Sequence, residues 1–184
     1  MNCIFVDVKS LQWVLRRSLA VACLLVGAWG PVSAETIEVP NNYPSIQAAI
    51  DAAGPGDTVL VSPGLYRERT RLKEHMTLRS AGDDAKGKLG LKRAEATIVD
   101  GGGQQGEGAG VTMAEGSTVD GFTVTNVGVY DDAEWSKHHA THGNDQPHEH
   151  IGAPGTAGIS ATGVTCTIQH NIVHHIGYTG IAIQ

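Results

Sequence analysis

Ser117–Gly128 reads STVDGFTVTNVG, and Cys166–Gly177 reads CTIQHNIVHHIG; the two stretches are copies of one pattern. Val119 falls on Ile168, Val124 on Val173, Val127 on Ile176 and Gly128 on Gly177, each at an offset of 49. After its glycine the second copy continues Tyr178-Thr179-Gly180-Ile181-Ala182-Ile183. The first resumes that text only at Thr156-Ala157-Gly158-Ile159-Ser160-Ala161. Lifting out residues 129 to 155, a stretch of 27, reduces the offset from 49 to 22. A period this short is the mark of a solenoid, in which each coil buries its apolar face only by stacking on its neighbours.

A 22-residue coil suits an all-β fold, the right-handed parallel β-helix, with short strands stacked in parallel about 4.8 Å apart and aliphatic columns inside. Other β-prone runs separated by Gly, Pro and Asp fit it: Thr58 to Val61, Met76 to Leu78, Thr97 to Val99 and Val111 to Met113. A sandwich of antiparallel hairpins predicts tight two-residue turns and no fixed period, so the period favours the helix. Asn171 is placed at a left-handed turn position, since Asn tolerates that backbone. At the start, Thr36-Ile37-Glu38-Val39 alternates as a strand does. Tyr43 to Ala53 then reads as a short capping α-helix with Pro44 in its first turn, Ile46, Ala49, Ile50 and Ala53 on one face, and Gly54 as its stop. Almost no further helix signal follows. The organisation expected is a cap over 36–56 and coils over 57–184, with a His-rich loop inserted at 129–155.

Residues 1–34 stand apart as a signal peptide. Arg16 and Arg17 precede an apolar run from Leu19 to Trp29, Gly30-Pro31 breaks it, and Val32-Ser33-Ala34 supplies the small residues a signal peptidase reads. The run is too short to span a bilayer. Cleavage after Ala34 and a secreted or periplasmic location are expected. The leader carries Lys9, Arg16, Arg17 and Asp7, a net +2, so the net charge of −6 becomes −8 for the domain at 35–184. An acidic exported chain has no general attraction for nucleic acid or anionic membranes, and neither is expected as a partner. Cys166 is the one cysteine left after the leader, which excludes an internal disulfide there.

The stretches IEVPNNYPSIQAAIDAAGPGDTVLVSPGLYRE (37–68), ATIVDGG (96–102) and CTIQHNIVHHIGYTGIAI (166–183) resemble secreted right-handed parallel β-helix proteins of the pectate-lyase-like superfamily. The resemblance covers roughly residues 36 to 128 and 156 to 184. It implies a helix over the N-terminal end of the coils and a polysaccharide cleft on loops along one side. Gly64 to Glu68 (GLYRE) also resembles a stretch near the start of pectin methylesterases, although the later catalytic motifs of that group are not found. Nor is the polygalacturonase pattern of paired Asp with Gly-His-Gly. The resemblance therefore implies a carbohydrate-active protein, binding or cleaving an extracellular polysaccharide as a lyase or glycoside hydrolase would. The alternative is a non-catalytic, adhesin-like surface protein. Gln184 falls in mid-strand, and further coils are expected beyond it.

The inserted loop carries five of the nine histidines within thirteen residues. His138 and His142 are four apart, as on a helical turn, and His148 and His150 two apart, as on a strand, so either pair can aim two imidazoles at one point. Asp131, Asp132, Glu134 and Glu149 offer oxygen ligands beside them. Together they form a candidate divalent-metal set of His138, His142, His148, His150, Asp131, Asp132 and Glu149. Zn²⁺ suits mixed imidazole and carboxylate better than Ca²⁺ does, although no complete signature such as H-E-x-x-H is present. The same loop reads equally as a solvated polar segment, or as a source of acid–base histidines: His138, His139, His142, and His174 on the neighbouring coil. Tyr130 and Trp135 can stack on sugar rings or pin the loop. Solvated positions are expected for His170, His174 and His175. The strip Arg67, Arg69, Arg71 and Lys73 reads first as a solvated strand face and second as an anion-binding ridge for uronates, and backbone-binding turns are expected for Asp57 and Asp100.

Overall fold

The structure is a computed structural model that describes residues 33–104, 108–143, 147, 152–153 and 156–184. The expected leader lies outside these residues except for Ser33 and Ala34, and so do His148, Glu149 and His150 of the insertion. Among the described residues no helix is long and apolar enough to cross a membrane.

The chain opens with β1 (Thr36–Val39) and helix α1 (Ile46–Ala52), then repeats a cycle of three strands. The first cycle is β2 (Thr58–Val61), β3 (Gly64–Arg67) and β4 (Thr70–Arg71). The second is β5 (Thr77–Ser80), β6 (Thr97–Gly103) and β7 (Val111–Thr112), with helix α2 (Lys92–Ala96) before β6. The third is β8 (Thr118–Asp120), β9 (Thr123–Val127) and β10 (Ala157–Ala161), with helix α3 (Asp132–Ala140) before β10. The fourth is β11 (Thr167–Gln169), β12 (Ile172–Ile176) and β13 (Thr179–Ile183). The strands form three sheets, ordered β1-β2-β5-β8-β11, β3-β6-β9-β12 and β4-β7-β10-β13. Every pairing is parallel, as in a β-helix-like solenoid.

The repeat seen in the sequence is the pairing register. Val119 pairs with Ile168, Val124 with Val173 and Val127 with Ile176, while Ala157 pairs with Thr179. Two of these register positions continue as apolar columns. Ile37, Val59, Leu78, Val119 and Ile168 stack through the first sheet, and Val99, Val124 and Val173 through the second. Val59, Leu78, Val99, Val119 and Val124 are wholly buried. Burial of this kind stabilises by roughly 1.5–3 kcal/mol per large aliphatic side chain, and it is what a chain with one phenylalanine after residue 34, the fully buried Phe122, must rely on.

Helix α1 closes one side of this core through Ile46, Ala49 and Ile50. It begins two residues later than Pro44 as a first helical residue would place it. Ser45 is the N-cap, its Oγ accepting from the Ala48 amide at 3.2 Å, because a hydroxyl satisfies an end amide that proline cannot. Glu68 supports the same end, its carboxylate accepting from the amides of Ile46 (2.9 Å) and Gln47 (2.8 Å). At the other end the Lys73 ammonium donates to the carbonyls of Asp51 and Ala53.

The basic strip is exposed at Arg67, Arg71 and Lys73, as expected, and is corrected at Arg69, which is half-buried. Lys73 caps a helix, and Arg69 clamps a turn: its guanidinium donates to the carbonyls of Gly101 (2.9 Å), Gly103 (2.8 Å) and Gly108 (2.5 Å). Asp57 and Asp100 hold backbone amides as expected, Asp57 those of Gly54 and Glu35, Asp100 that of Gly102. Asn171 is not the left-handed residue; His170 is, at φ 54°. The Asn171 carboxamide instead reaches to the preceding cycle, accepting from Phe122 N at 2.8 Å and donating to Val119 O at 3.2 Å. The expectation of almost no helix after α1 also fails, since α2 and α3 form within the two longest connections between consecutive strands that follow α1.

Candidate functional site

Helix α3 shapes the candidate site. Asp131 is its N-cap, its carboxylate accepting from the amides of Ala133 (2.8 Å) and Glu134 (3.0 Å), and Asp132 places a second acidic side chain in the first turn. No residue of α3 is buried in the core, so the helix lies on the flank of the sheets rather than within them. Asp132, Trp135, Ser136 and His139 follow the i, i+3, i+4, i+7 rule of one helix face. That face forms one wall of a cleft of about 420 Å³. The other wall comes from β12 and β13: Val173, His174, His175, Ile176, Tyr178 and Gly180, with Tyr130 at the joint.

Aromatic rings line this space at close range. Tyr130 and Trp135 lie nearly parallel, with centroids 6.4 Å apart, and Tyr130 meets the His175 ring edge-on at 4.7 Å. The Tyr130 hydroxyl donates to Asp132 at 3.0 Å, and that bond, aided by burial, raises its pKa and keeps it a phenol. The Trp135 indole nitrogen is buried with no hydrogen-bond partner among the described residues. A buried, unpaired donor costs about 1–3 kcal/mol, more than a surface helix has reason to carry.

His174 and His175 share the cleft because of backbone geometry. Consecutive strand residues point to opposite faces, but His175 has φ 53°, the left-handed region, and both imidazoles turn outward together. Their rings meet edge-on at 4.6 Å and their Nδ1 atoms are hydrogen-bonded, one donating and the other accepting. Thr125 Oγ1 lies 3.2 Å from His174 Nδ1. Burial first, and the neighbouring His175 second, lower the His174 pKa below its ordinary 6.5. A neutral imidazole there can accept or relay a proton at neutral pH.

Of the acid–base candidates, His139 and His174 line this cleft together. His138 does not line it; its ring packs edge-on against Trp135 at 5.8 Å. His142 lies beyond the helix, which ends at Ala140 with Thr141 as C-cap, so the four-residue spacing from His138 is not a helical turn here. Asp131 and Asp132 are engaged in capping and in the bond from Tyr130. Among the described residues no three His, Cys, Asp or Glu side chains group as a metal site would require.

A second polar cluster had no signal in the sequence. From α2, Arg93 enters the first sheet and pairs with Asp120 of β8, both side chains 2% exposed. Its guanidinium also donates to the Asp120 carbonyl at 2.7 Å and to Ser80 Oγ at 3.2 Å, and it pairs with Asp84. Asp120 further holds Arg79 (3.1 Å) and His170 Nδ1 (2.8 Å). Only the position of Gly121, whose added Cβ would lie 1.8 Å from Arg93 Nη1, hints at it.

Comparison of the chain with protein-family models, with curated proteins and with solved structures finds no match. The class that fold and cleft define is accordingly coarse: a mostly β chain of three parallel sheets, carrying an aromatic and histidine-lined cleft on its flank.

Proposed function

We propose that the chain is an exported carbohydrate-active protein of right-handed parallel β-helix type, similar to the pectate-lyase-like superfamily, and that the cleft under α3 binds an extracellular polysaccharide. The observation that carries the reading is the set of Tyr130, Trp135 and Tyr178 beside His139, His174 and His175 in one open cleft. Sugar rings combine apolar C–H faces with hydroxyl edges. Aromatic faces with adjacent ring nitrogens offer both kinds of surface. The cleft volume falls within the roughly 300–1,000 Å³ of small-molecule sites.

Cleavage, where it occurs, falls to the histidines. A paired-carboxylate hydrolysis needs two acidic side chains across the cleft, and among the described residues Asp132 is the one carboxylate that lines it. The adhesin-like alternative, binding without cleavage, gains support from the same fact. Incubating the full chain with a panel of soluble polysaccharides, and measuring both binding and new reducing or unsaturated ends, tests the proposal. Binding that weakens about tenfold in Trp135→Ala supports it, and cleavage lost in His174→Ala adds a catalytic role. No binding to any polysaccharide would sink the reading. Export is checked separately by N-terminal sequencing of the extracytoplasmic protein, with Glu35 expected as its first residue.

A further inference from the structure

Positive charge is divided unevenly along the chain. Twelve of its thirteen lysines and arginines precede residue 94, and Lys137 is the one permanent cation from residue 94 to residue 184. Ten carboxylates lie in that same stretch: Glu95, Asp100, Glu107, Glu115, Asp120, Asp131, Asp132, Glu134, Asp145 and Glu149. Both walls of the cleft come from this acidic part of the chain, and none of the lining residues is Lys or Arg. Asp132 stands in the wall itself, and Asp131 and Glu134 flank it on the same helix.

We infer that the cleft selects an uncharged glycan over a polyuronate. This rests on the glycan reading above and names the substrate class within it. A polyuronate carries one carboxylate per sugar. To enter this cleft it must pass Asp132, with Asp131 and Glu134 beside it on a helix whose single ammonium, Lys137, is not among the lining residues. It must also lose hydration with no lining guanidinium or ammonium to receive it. Like-charge repulsion and desolvation both oppose this entry. An uncharged chain meets neither obstacle. Its ring faces lie on Tyr130, Trp135 and Tyr178, and its hydroxyls donate to Asp132 or exchange hydrogen bonds with the imidazoles. An uncharged sugar also lacks the carboxylate that acidifies the C5 hydrogen removed in β-elimination, so lyase chemistry drops out of the cleft's repertoire.

The test is isothermal titration of the full chain at pH 7.5 and low salt with cello-, xylo- and mannohexaose and with hexagalacturonate. At least one neutral hexaose is expected to bind, and hexagalacturonate about tenfold more weakly or not at all. Raising the salt should narrow that gap, since repulsion between exposed charges is screened. Ser136→Arg, on the exposed cleft face of α3, places a guanidinium where none exists and should strengthen hexagalacturonate binding at least severalfold. Hexagalacturonate binding as tightly as every neutral hexaose, or Ser136→Arg leaving its affinity unchanged, overturns the inference while the glycan reading stands. Failure of all four ligands overturns both.

Discussion

Arg93 of α2 and Asp120 of β8 form an ion pair in which each side chain is 2% exposed. Removing one member of such a pair leaves an uncompensated buried charge. Arg93→Ala should therefore cost about 3–5 kcal/mol, measurable as a lower midpoint in urea. Replacing both partners, as in Arg93→Met with Asp120→Leu, should give a protein closer to the wild type than Asp120→Leu alone.

The same pair sets acid sensitivity. Burial opposes ionisation of Asp120, but hydrogen bonds from Arg93 and His170 outweigh it and hold the carboxyl below its ordinary 3.8. A carboxyl depressed in the folded state stabilises fully above its unfolded value, and that contribution is lost as pH falls through the folded one. Thermal melts of the wild type should accordingly weaken below about pH 4. In Asp120→Asn, destabilised already at pH 7, that part of the acid dependence should be missing.

Gly121 has φ 90° and sits where an added Cβ would lie 1.8 Å from Arg93 Nη1 and 2.5 Å from Ser80 Oγ. Gly121→Ala should cost about 2–4 kcal/mol from backbone strain and overpacking together. Gly163, at φ 65° with open space around it, isolates the backbone part. Gly163→Ala should cost only about 1–2 kcal/mol by the same denaturation measurement.

His174 is expected to titrate below 6.5 when its imidazole signals are followed by NMR, because burial and His175 disfavour its charged form. Its folded pKa is depressed, so the unfolded chain takes up this proton first as the pH drops below 6.5. The contribution to stability then declines on acidification until the folded value is passed. His174→Gln should remove this share of the pH dependence. A titration at or above 6.5 would show that partial desolvation and His175 do not disfavour the charge on this exposed ring.

Trp135→Ala should separate binding from folding. Helix α3 buries nothing in the core, so the melting temperature should move by less than about 2 °C. Affinity for a bound glycan should fall about tenfold, the share of one aromatic stacking partner.

Much of the fold could be read directly from the sequence because stacking makes it periodic. Val119 and Ile168, Val124 and Val173, and Val127 and Ile176 are each separated by 49 residues and are each paired strand neighbours. Their spacing also reveals the insertion that carries the cleft. Less could be read where the partner is remote and aperiodic. Arg93 and Asp120 belong to different cycles, and no spacing rule links a guanidinium on a five-residue helix to a carboxylate on β8. Arg69 looks like a surface charge until three glycine carbonyls converge on it.

By itself, then, the sequence determined the parallel stacked strands, the capping helix, the register and the place of the inserted segment, since each follows from local pattern or a repeating interval. Tertiary structure alone decided which side chains meet. It joined His139 to His174 and left His138 and His142 outside the cleft. It also turned His174 and His175 to one side through the left-handed backbone at His175, φ 53°. The reason is physical: columns of stacked parallel strands repeat because each cycle of strands repeats its neighbour, whereas a cleft between a helix and two strands arises once, from packing that the repeat does not dictate.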